Sequence, residues 1–160
     1  MALRNIVQEG DGILRKRCRE ITEIDDRIRM ILDDMIETMR DQGGIGLAAP
    51  QVGVMRRMFT VEVEEGDVIE IINPEVVEAS GSQTGEEGCL SVPGYVGTVE
   101  RPGYIKIAGL DRYGQPVFHE GTELKAVALS HEMDHLEGVL YVDKAGDVRE
   151  AEPDEKPRRT

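Results

Sequence analysis

The pentapeptide from His131 to His135 constrains this chain more than any other feature, because it holds two of the three histidines four positions apart. At 3.6 residues per turn, side chains at that spacing lie on one face of a helix, so both imidazoles can reach one divalent ion. Glu132 lies beside the first histidine, where its carboxylate can act as a general base towards a water at that ion. The spacing is typical of metallohydrolases.

The pattern by itself has a simpler explanation, since a histidine on a helix is more often packed or exposed than a ligand. Two histidines bind a metal weakly, and a catalytic site normally has three protein ligands and one open position. The third histidine, His119, lies on a predicted strand, where we expect it to be a surface or packed residue. A third ligand must therefore come from another residue type.

Length and charge narrow the class of protein. A chain of 160 residues is long enough for one domain with a proper core and short for two. The net charge of −13 is spread along the chain and would repel phosphate backbones, so we expect no direct nucleic-acid binding. No apolar run is long enough to predict a membrane span, and the first residues resemble neither a signal nor a transit peptide. We therefore expect a cytoplasmic protein, or a mature organellar one.

Hydrophobic periodicity predicts an α+β fold, with short, mainly antiparallel strands packed around a central metal-binding helix, and with an N-terminal helix. The N-terminal helix is predicted over 26–42, with Asp25 as its N-cap and with Met30, Met35 and Met39 in the core. The metal-binding helix is predicted over 123–137. Residues 44–51 are predicted to form a loop that lies against a ligand. Strands are predicted at 58–63, 68–72, 74–79, 104–110, 115–120 and 139–142.

The charged residues near the end of the sequence suggest a domain boundary. Residues 1–142 are predicted to form the catalytic domain, and residues 143–160 a charged, disordered tail. The two cysteines do not suggest a disulfide framework in a chain of this size.

Three segments, 44–51, 87–91 and 131–138, resemble in order the three signature motifs of peptide deformylases, and the resemblance extends from about residue 3 to residue 143. It implies that Cys89, His131 and His135 hold one divalent metal ion per chain, with a water in the fourth position. A thiolate and two imidazoles suit several metals. The resemblance favours Fe(II) in the cell, with Zn(II), Ni(II) or Co(II) as alternatives.

The same resemblance implies the reaction, which is hydrolysis of the formyl group from the N-terminal formyl-methionine of newly synthesised peptides, releasing formate. In this reaction Glu132 would be the general base. The Gln51 side-chain amide and the Leu90 backbone N–H would stabilise the oxyanion. The expected partners are nascent formyl-methionyl polypeptides, which could be met at the ribosome.

Substrate binding is expected to use backbone and an apolar pocket. The peptide would bind as an added strand along Ile45, Gly46 and Gly88. The methionine side chain would contact Val127, Ala128 and Leu90. These six residues are the predicted substrate site.

Several alternatives remain open from the sequence. A zinc peptidase using the same histidines would take its third ligand downstream, from Glu137, Asp143 or Asp147, and a non-catalytic relative would only bind peptide N-termini. Asp134 is expected to have a structural role, although it could orient a ligand imidazole. Ser130 stands where the family commonly has Gln, which removes a longer polar side chain near the site.

Overall fold

The computed structural model describes residues 2–152 and residue 160. Its helices are α1 (Asp26–Asp41) and α2 (Glu123–Leu136), with short 3₁₀ turns at Gly12–Arg15, Ala49–Val52 and Tyr141–Asp143. The strands are β1 (Gly46–Ala48), β2 (Met58–Val61), β3 (Ile69–Ser80), β4 (Gln83–Cys89), β5 (Val92–Arg101), β6 (Tyr104–Leu110), β7 (Pro116–Thr122) and β8 (Val148–Glu150).

The strands form two antiparallel sheets. One has five strands in the order β1-β2-β3-β6-β7, and the other has three in the order β4-β5-β8. The predicted α+β class is therefore confirmed. Strands β1 and β4 each end a sheet, so one backbone edge of each has no strand partner in the described part of the chain.

Helix α2 is central, as predicted, and contacts β1, β2, β5, β6 and β7. Its Leu129 is fully buried against Phe59, Ile71 and Ile107 of the five-stranded sheet. The helix ends at Leu136, and Gly138 follows its C-cap. Gly138 has a φ of 77° and packs so closely on Arg15 that a Cβ there would lie 2.6 Å from the Arg15 backbone. Only glycine satisfies both conditions without strain.

Helix α1 begins as predicted, because the Asp25 side chain accepts a hydrogen bond from the Ile28 N–H at 3.0 Å. Met35 and Met39 are fully buried, but Met30 is 50% exposed, so its predicted place in the core is wrong. Met30 lies two positions from buried Ile28 and therefore points about 200° around the helix from it.

Strand β3 corrects the prediction of two strands at 68–72 and 74–79. It is one strand with a register irregularity between Ile72 and Glu75. Asn73 lies there with a φ of 51°, and its side chain bonds the backbone N–H and C=O of Ile21 at 2.8 and 2.9 Å. Asparagine tolerates this conformation, because its side chain can satisfy backbone groups locally.

Four other assignments are corrected. The predicted loop 44–51 contains β1 and a 3₁₀ turn, and β4 and β5 were not predicted at all. The predicted strand 139–142 is wrong, because a 3₁₀ turn forms at Tyr141–Asp143. The Asp143 carboxylate stabilises the start of this turn by accepting a hydrogen bond from the Leu140 N–H at 2.9 Å. Strand β8 pairs with β5, so the predicted tail is not disordered at Val148–Glu150. Residues 153–159 of that tail lie outside the described residues, and the domain boundary stays a prediction.

A membrane span was not predicted, and within residues 2–152 no helix has the length and apolar character to cross a bilayer.

Candidate active site

Three potential ligand atoms converge at the buried face of α2. The Nε2 atoms of His131 and His135 are 3.1 Å apart, and the Sγ of Cys89 is 3.5 Å from the Nε2 of His135. The donor atoms of these three residues all lie within 4.8 Å of one another, and all three residues are buried. The structure thus brings together the three ligands named from the sequence.

Two of the three spacings, 3.1 and 3.5 Å, are close to those expected around a metal ion. Ligand bonds of about 2.0–2.3 Å in a tetrahedron place neighbouring ligand atoms roughly 3.3–3.6 Å apart. Two of the alternative ligands of a zinc peptidase are paired elsewhere, and the third, Asp147, is exposed and outside the cluster. Glu137 pairs with Arg57 at 2.5 Å, and Asp143 pairs with Arg15 at 2.5 Å. His119 lies half-buried on β7, outside the cluster.

Burial sets the protonation of the ligands. It lowers the pKa of His131 and His135 below the ordinary value, which keeps both imidazoles neutral, the form that binds metal. Burial also raises the pKa of the Cys89 thiol to about 12, so the thiol must lose a proton when it becomes a ligand.

The orientation of His131 is controlled by Glu87 and Arg101. The Nδ1 of His131 lies 2.9 Å from Glu87 Oε1, which leaves its Nε2 for the cluster. Arg101 holds the same carboxylate with two bonds of 2.8 and 2.9 Å. Burial raises the pKa of Glu87, but hydrogen bonds from Arg101 and His131 lower it more, to about 2. Glu87 is therefore a buried, ionised carboxylate that accepts a hydrogen bond from the His131 ring and fixes the orientation of this proposed ligand.

Sequence reasoning missed this pair. Glu87 lies two positions before Cys89 and could have been suspected from that proximity alone. Arg101 ends β5 and carries no local signal that it would be 2% exposed.

Arg101 also links Asp134 and Ser130. Its Nη1 donates to Asp134 Oδ2 at 2.6 Å and to Ser130 Oγ at 3.3 Å, and Lys144 contacts the same Asp134 oxygen at 2.9 Å. The contacts of Asp134 are therefore with cations, as the structural alternative predicted, and the imidazole acceptor is Glu87. Ser130 contacts the network through a short hydroxyl.

Glu132 is fully buried beside the cluster. Neither carboxyl oxygen makes an aligned hydrogen bond, and burial raises the pKa of this carboxyl well above the ordinary value. Gly46 of β1 lies directly against it, since a Cβ on Gly46 would lie 3.1 Å from Glu132 Cδ. A buried acid without a fixed partner can accept and release protons.

Gln51 is fully buried in the 3₁₀ turn, so it is not an exposed polar residue of this segment. Its Oε1 accepts from the Ala48 N–H at 2.9 Å, which directs the NH₂ group inwards. The NH₂ nitrogen lies 3.1 Å from Ser91 Oγ and 3.6 Å from Cys89 Sγ.

Two donors in the site meet at one oxygen. The Leu90 N–H donates to the backbone O of Thr160 at 3.0 Å, and the Gln51 NH₂ donates to the same atom at 3.4 Å. The Thr160 N–H in turn donates to the Gly88 carbonyl at 3.5 Å. The two predicted oxyanion donors are thus aimed at a single position beside Cys89.

The predicted substrate residues differ in their exposure. Ile45 and Val127 are partly exposed, and Ala128 is fully buried in the core. The Leu90 side chain packs with the α1 core, while its N–H faces the site. The roles of these residues stay predictions.

A model of the polypeptide deformylase family matches residues 3–151, which is most of the chain. The chain belongs to the polypeptide deformylase family. The peptide deformylase of Alkaliphilus metalliredigens is 54% identical over 144 residues, covering 90% of this chain and 97% of that protein. The peptide deformylase of Acetivibrio thermocellus is 50% identical, covering 99% and 92%.

Solved structures agree with this membership. The crystal structure of the peptide deformylase from Thermotoga maritima matches with a TM-score of 0.87 and 38% identity, covering 91% of this chain and 99% of that one. The peptide deformylase from Ehrlichia chaffeensis, in complex with actinonin, matches with a TM-score of 0.89 and 36% identity, covering 92% and 91%. The predicted family, fold and enzyme class are confirmed.

Proposed function

We propose that this deformylase-family enzyme hydrolyses the formyl group from the N-terminal formyl-methionine of peptides and releases formate. One observation carries the proposal, which is the convergence of Cys89, His131 and His135 beside the buried Glu132 carboxyl. A site built only to bind peptide N-termini would have no use for a buried acid beside a set of metal ligands.

The metal ion would be held by the Cys89 thiolate and the two imidazoles. A divalent ion there supplies Lewis acidity, which polarises a carbonyl and makes a water more acidic. Glu132 would take a proton from the attacking water and later deliver it to the amine of the leaving peptide. Burial raises the pKa of this carboxyl, so it can hold the proton between the two steps.

The formyl oxygen would be stabilised by the Leu90 N–H and the Gln51 NH₂. Their convergence on one backbone oxygen supports this role, since an oxyanion hole needs fixed donors aimed at one point. The Ala48 N–H fixes the Gln51 amide in the donating orientation.

The peptide would bind as an extended strand between β1 and β4. Both are edge strands. The Gly88 carbonyl and the Leu90 N–H already form hydrogen bonds with the backbone of Thr160. Backbone pairing of this kind gives little sequence selectivity, which suits a substrate class defined by its N-terminus. The methionine side chain would lie against Val127, Ala128 and Leu90.

We propose Fe(II) as the metal in the cell, with Zn(II), Ni(II) and Co(II) able to occupy the same ligands. The expected substrates are nascent polypeptides, at the ribosome or after release, in the cytoplasm. The named relatives are bacterial, which supports a bacterial-type location.

The test is release of formate from formyl-Met-Ala-Ser by protein prepared without oxygen and loaded with nickel. We expect formate and free Met-Ala-Ser as the products. Acetyl-Met-Ala-Ser is the matched control and should remain intact. Cleavage of internal peptide bonds without formate would favour the zinc peptidase, and binding without any product would favour the non-catalytic relative.

A further inference from the structure

Thr160 occupies the position that the proposed reaction reserves for substrate. Its backbone O receives both proposed oxyanion donors, the Leu90 N–H at 3.0 Å and the Gln51 NH₂ at 3.4 Å. The residue is 3% exposed, far more buried than a polar residue normally is without a specific binding site.

The backbone contacts have the form of strand pairing. The Thr160 N–H donates to the Gly88 carbonyl at 3.5 Å, and the Thr160 O accepts from the Leu90 N–H. Thr160 thus forms hydrogen bonds with the residues before and after Cys89. This is the pattern of a parallel β-bridge in which Thr160 is paired with Cys89. Thr160 therefore pairs with the edge of β4 that would bind substrate.

The Thr160 side chain also faces the catalytic machinery. It lies beside the Glu132 carboxyl. Its Oγ1 is buried without an aligned hydrogen bond. A formyl peptide could not enter the same space while Thr160 is there.

We propose that Thr160 is an intramolecular ligand of the active site and competes with the formyl peptide for Leu90, Gln51 and Gly88. The inference rests on the proposed function, because it assigns Thr160 to the substrate position of that reaction. A competitor attached to the same chain acts at a high effective concentration, so even a weak contact can occupy the site. The ligand class is an extended peptide residue that offers a backbone oxygen to two donors.

The first test compares the full chain with one shortened to residues 1–152, both nickel-loaded, in the formate assay. If Thr160 occupies the site for half to nine-tenths of the time, the shortened chain should show a KM about 2- to 10-fold lower with kcat unchanged. Equal KM values would overturn the proposal. If neither chain releases formate, the proposed function itself fails, so the two failures are distinguishable.

A second variant keeps the length and charge of the chain. Thr160→Trp should lower KM as the shortening does, because the larger side chain does not fit a position that is 3% exposed. Thr160→Ser is the matched control and should retain the KM of the full chain. A KM change in the shortened chain alone would overturn the role of Thr160.

Hydrogen exchange gives a readout that needs no turnover. In zinc-loaded full-length protein, the Leu90 amide should exchange slowly, because the Thr160 O accepts its proton. Exchange at this amide should accelerate several-fold in the shortened chain, while the core amide of Leu129 should not change. The same Leu90 rate in both chains would contradict the contact.

Discussion

At the scale of single residues, the site depends on three atoms from two distant parts of the chain. Cys89 ends β4, and both histidines project from α2. Each is buried, and burial opposes charge on all three, so a bound ion would supply the charge that the thiolate requires. Removal of any one ligand leaves two, which hold a metal weakly.

Cys89→Ala should therefore lose the metal. We expect less than about one-tenth of the wild-type content after dialysis, because the variant keeps only two imidazoles. Elemental analysis measures this directly. Cys18→Ala is the matched control, since that thiol is buried in the core and is not one of the three ligand atoms, and it should keep the metal. Stoichiometric metal in Cys89→Ala would contradict the proposed ligand set.

Glu132→Ala should keep the metal and lose turnover by about 10²- to 10⁴-fold, because general acid–base catalysis contributes that much and the residue is not a ligand. Formate release and metal content are measured on the same preparation. Glu123→Ala, at the exposed start of α2, should behave as wild type. An undiminished rate in Glu132→Ala would refute the catalytic role.

At the scale of elements, the site depends on how closely β1 approaches α2. Gly46 lies in β1 against the Glu132 carboxyl. Because glycine has no side chain, β1 can approach α2 closely at this point. Such positions couple backbone packing to the placement of a reactive group.

Gly46→Ala should displace the Glu132 carboxyl, because the new Cβ would lie 3.1 Å from Glu132 Cδ and closer still to Oε2. We expect turnover to fall by more than tenfold with metal content retained, since a misplacement of about 1 Å can cost about 10²-fold. Gly85→Ala in β4 is the matched control, because its Cβ would meet no atom within 4 Å. Equal turnover in both variants would show that Glu132 tolerates the contact.

At the scale of the whole molecule, Glu87 and Arg101 join β4 and β5 of the smaller sheet to α2. Arg101 is 2% exposed and bonds Glu87 on β4 and Asp134 on α2. A buried ion pair with both partners satisfied contributes little net stability, but breaking it is costly. The two sheets and the helix should therefore lose stability together when the pair is broken.

Acid should break this pair. The pKa of Glu87 is about 2 in the fold and 4.5 ordinarily, so its stabilisation is complete above about pH 4.5 and is lost as the pH falls towards 2. The loss is on the order of 3 kcal/mol. Urea unfolding of metal-free protein between pH 6 and 3 should show this slope, and Glu87→Gln should flatten it.

Glu86→Gln is the matched control for that measurement. Glu86 is the neighbouring residue, and its ion pair with Arg149 is about half exposed on both sides. Exposed pairs contribute little, so this variant should keep the wild-type slope. A wild-type slope in Glu87→Gln would show that the acid sensitivity lies elsewhere.

The family and the ligand set could be predicted from the sequence because they depend on local patterns. The spacing of His131 and His135 follows from helix geometry alone, and Cys89 belongs to a short motif. Helix α1 and the hairpin of β6 and β7 were predicted for the same reason, since their periods and turn residues are contiguous.

Only the tertiary structure decided how these pieces support each other. Arg101 became a buried support for Glu87, and Gly46 came to rest against Glu132, through contacts between residues 14 and 86 positions apart. Strands β4 and β8 were missed because their pairing with β5, and not their own composition, makes them strands. Local periodicity determines which residues can share a helix face, whereas long-range packing determines which of them meet.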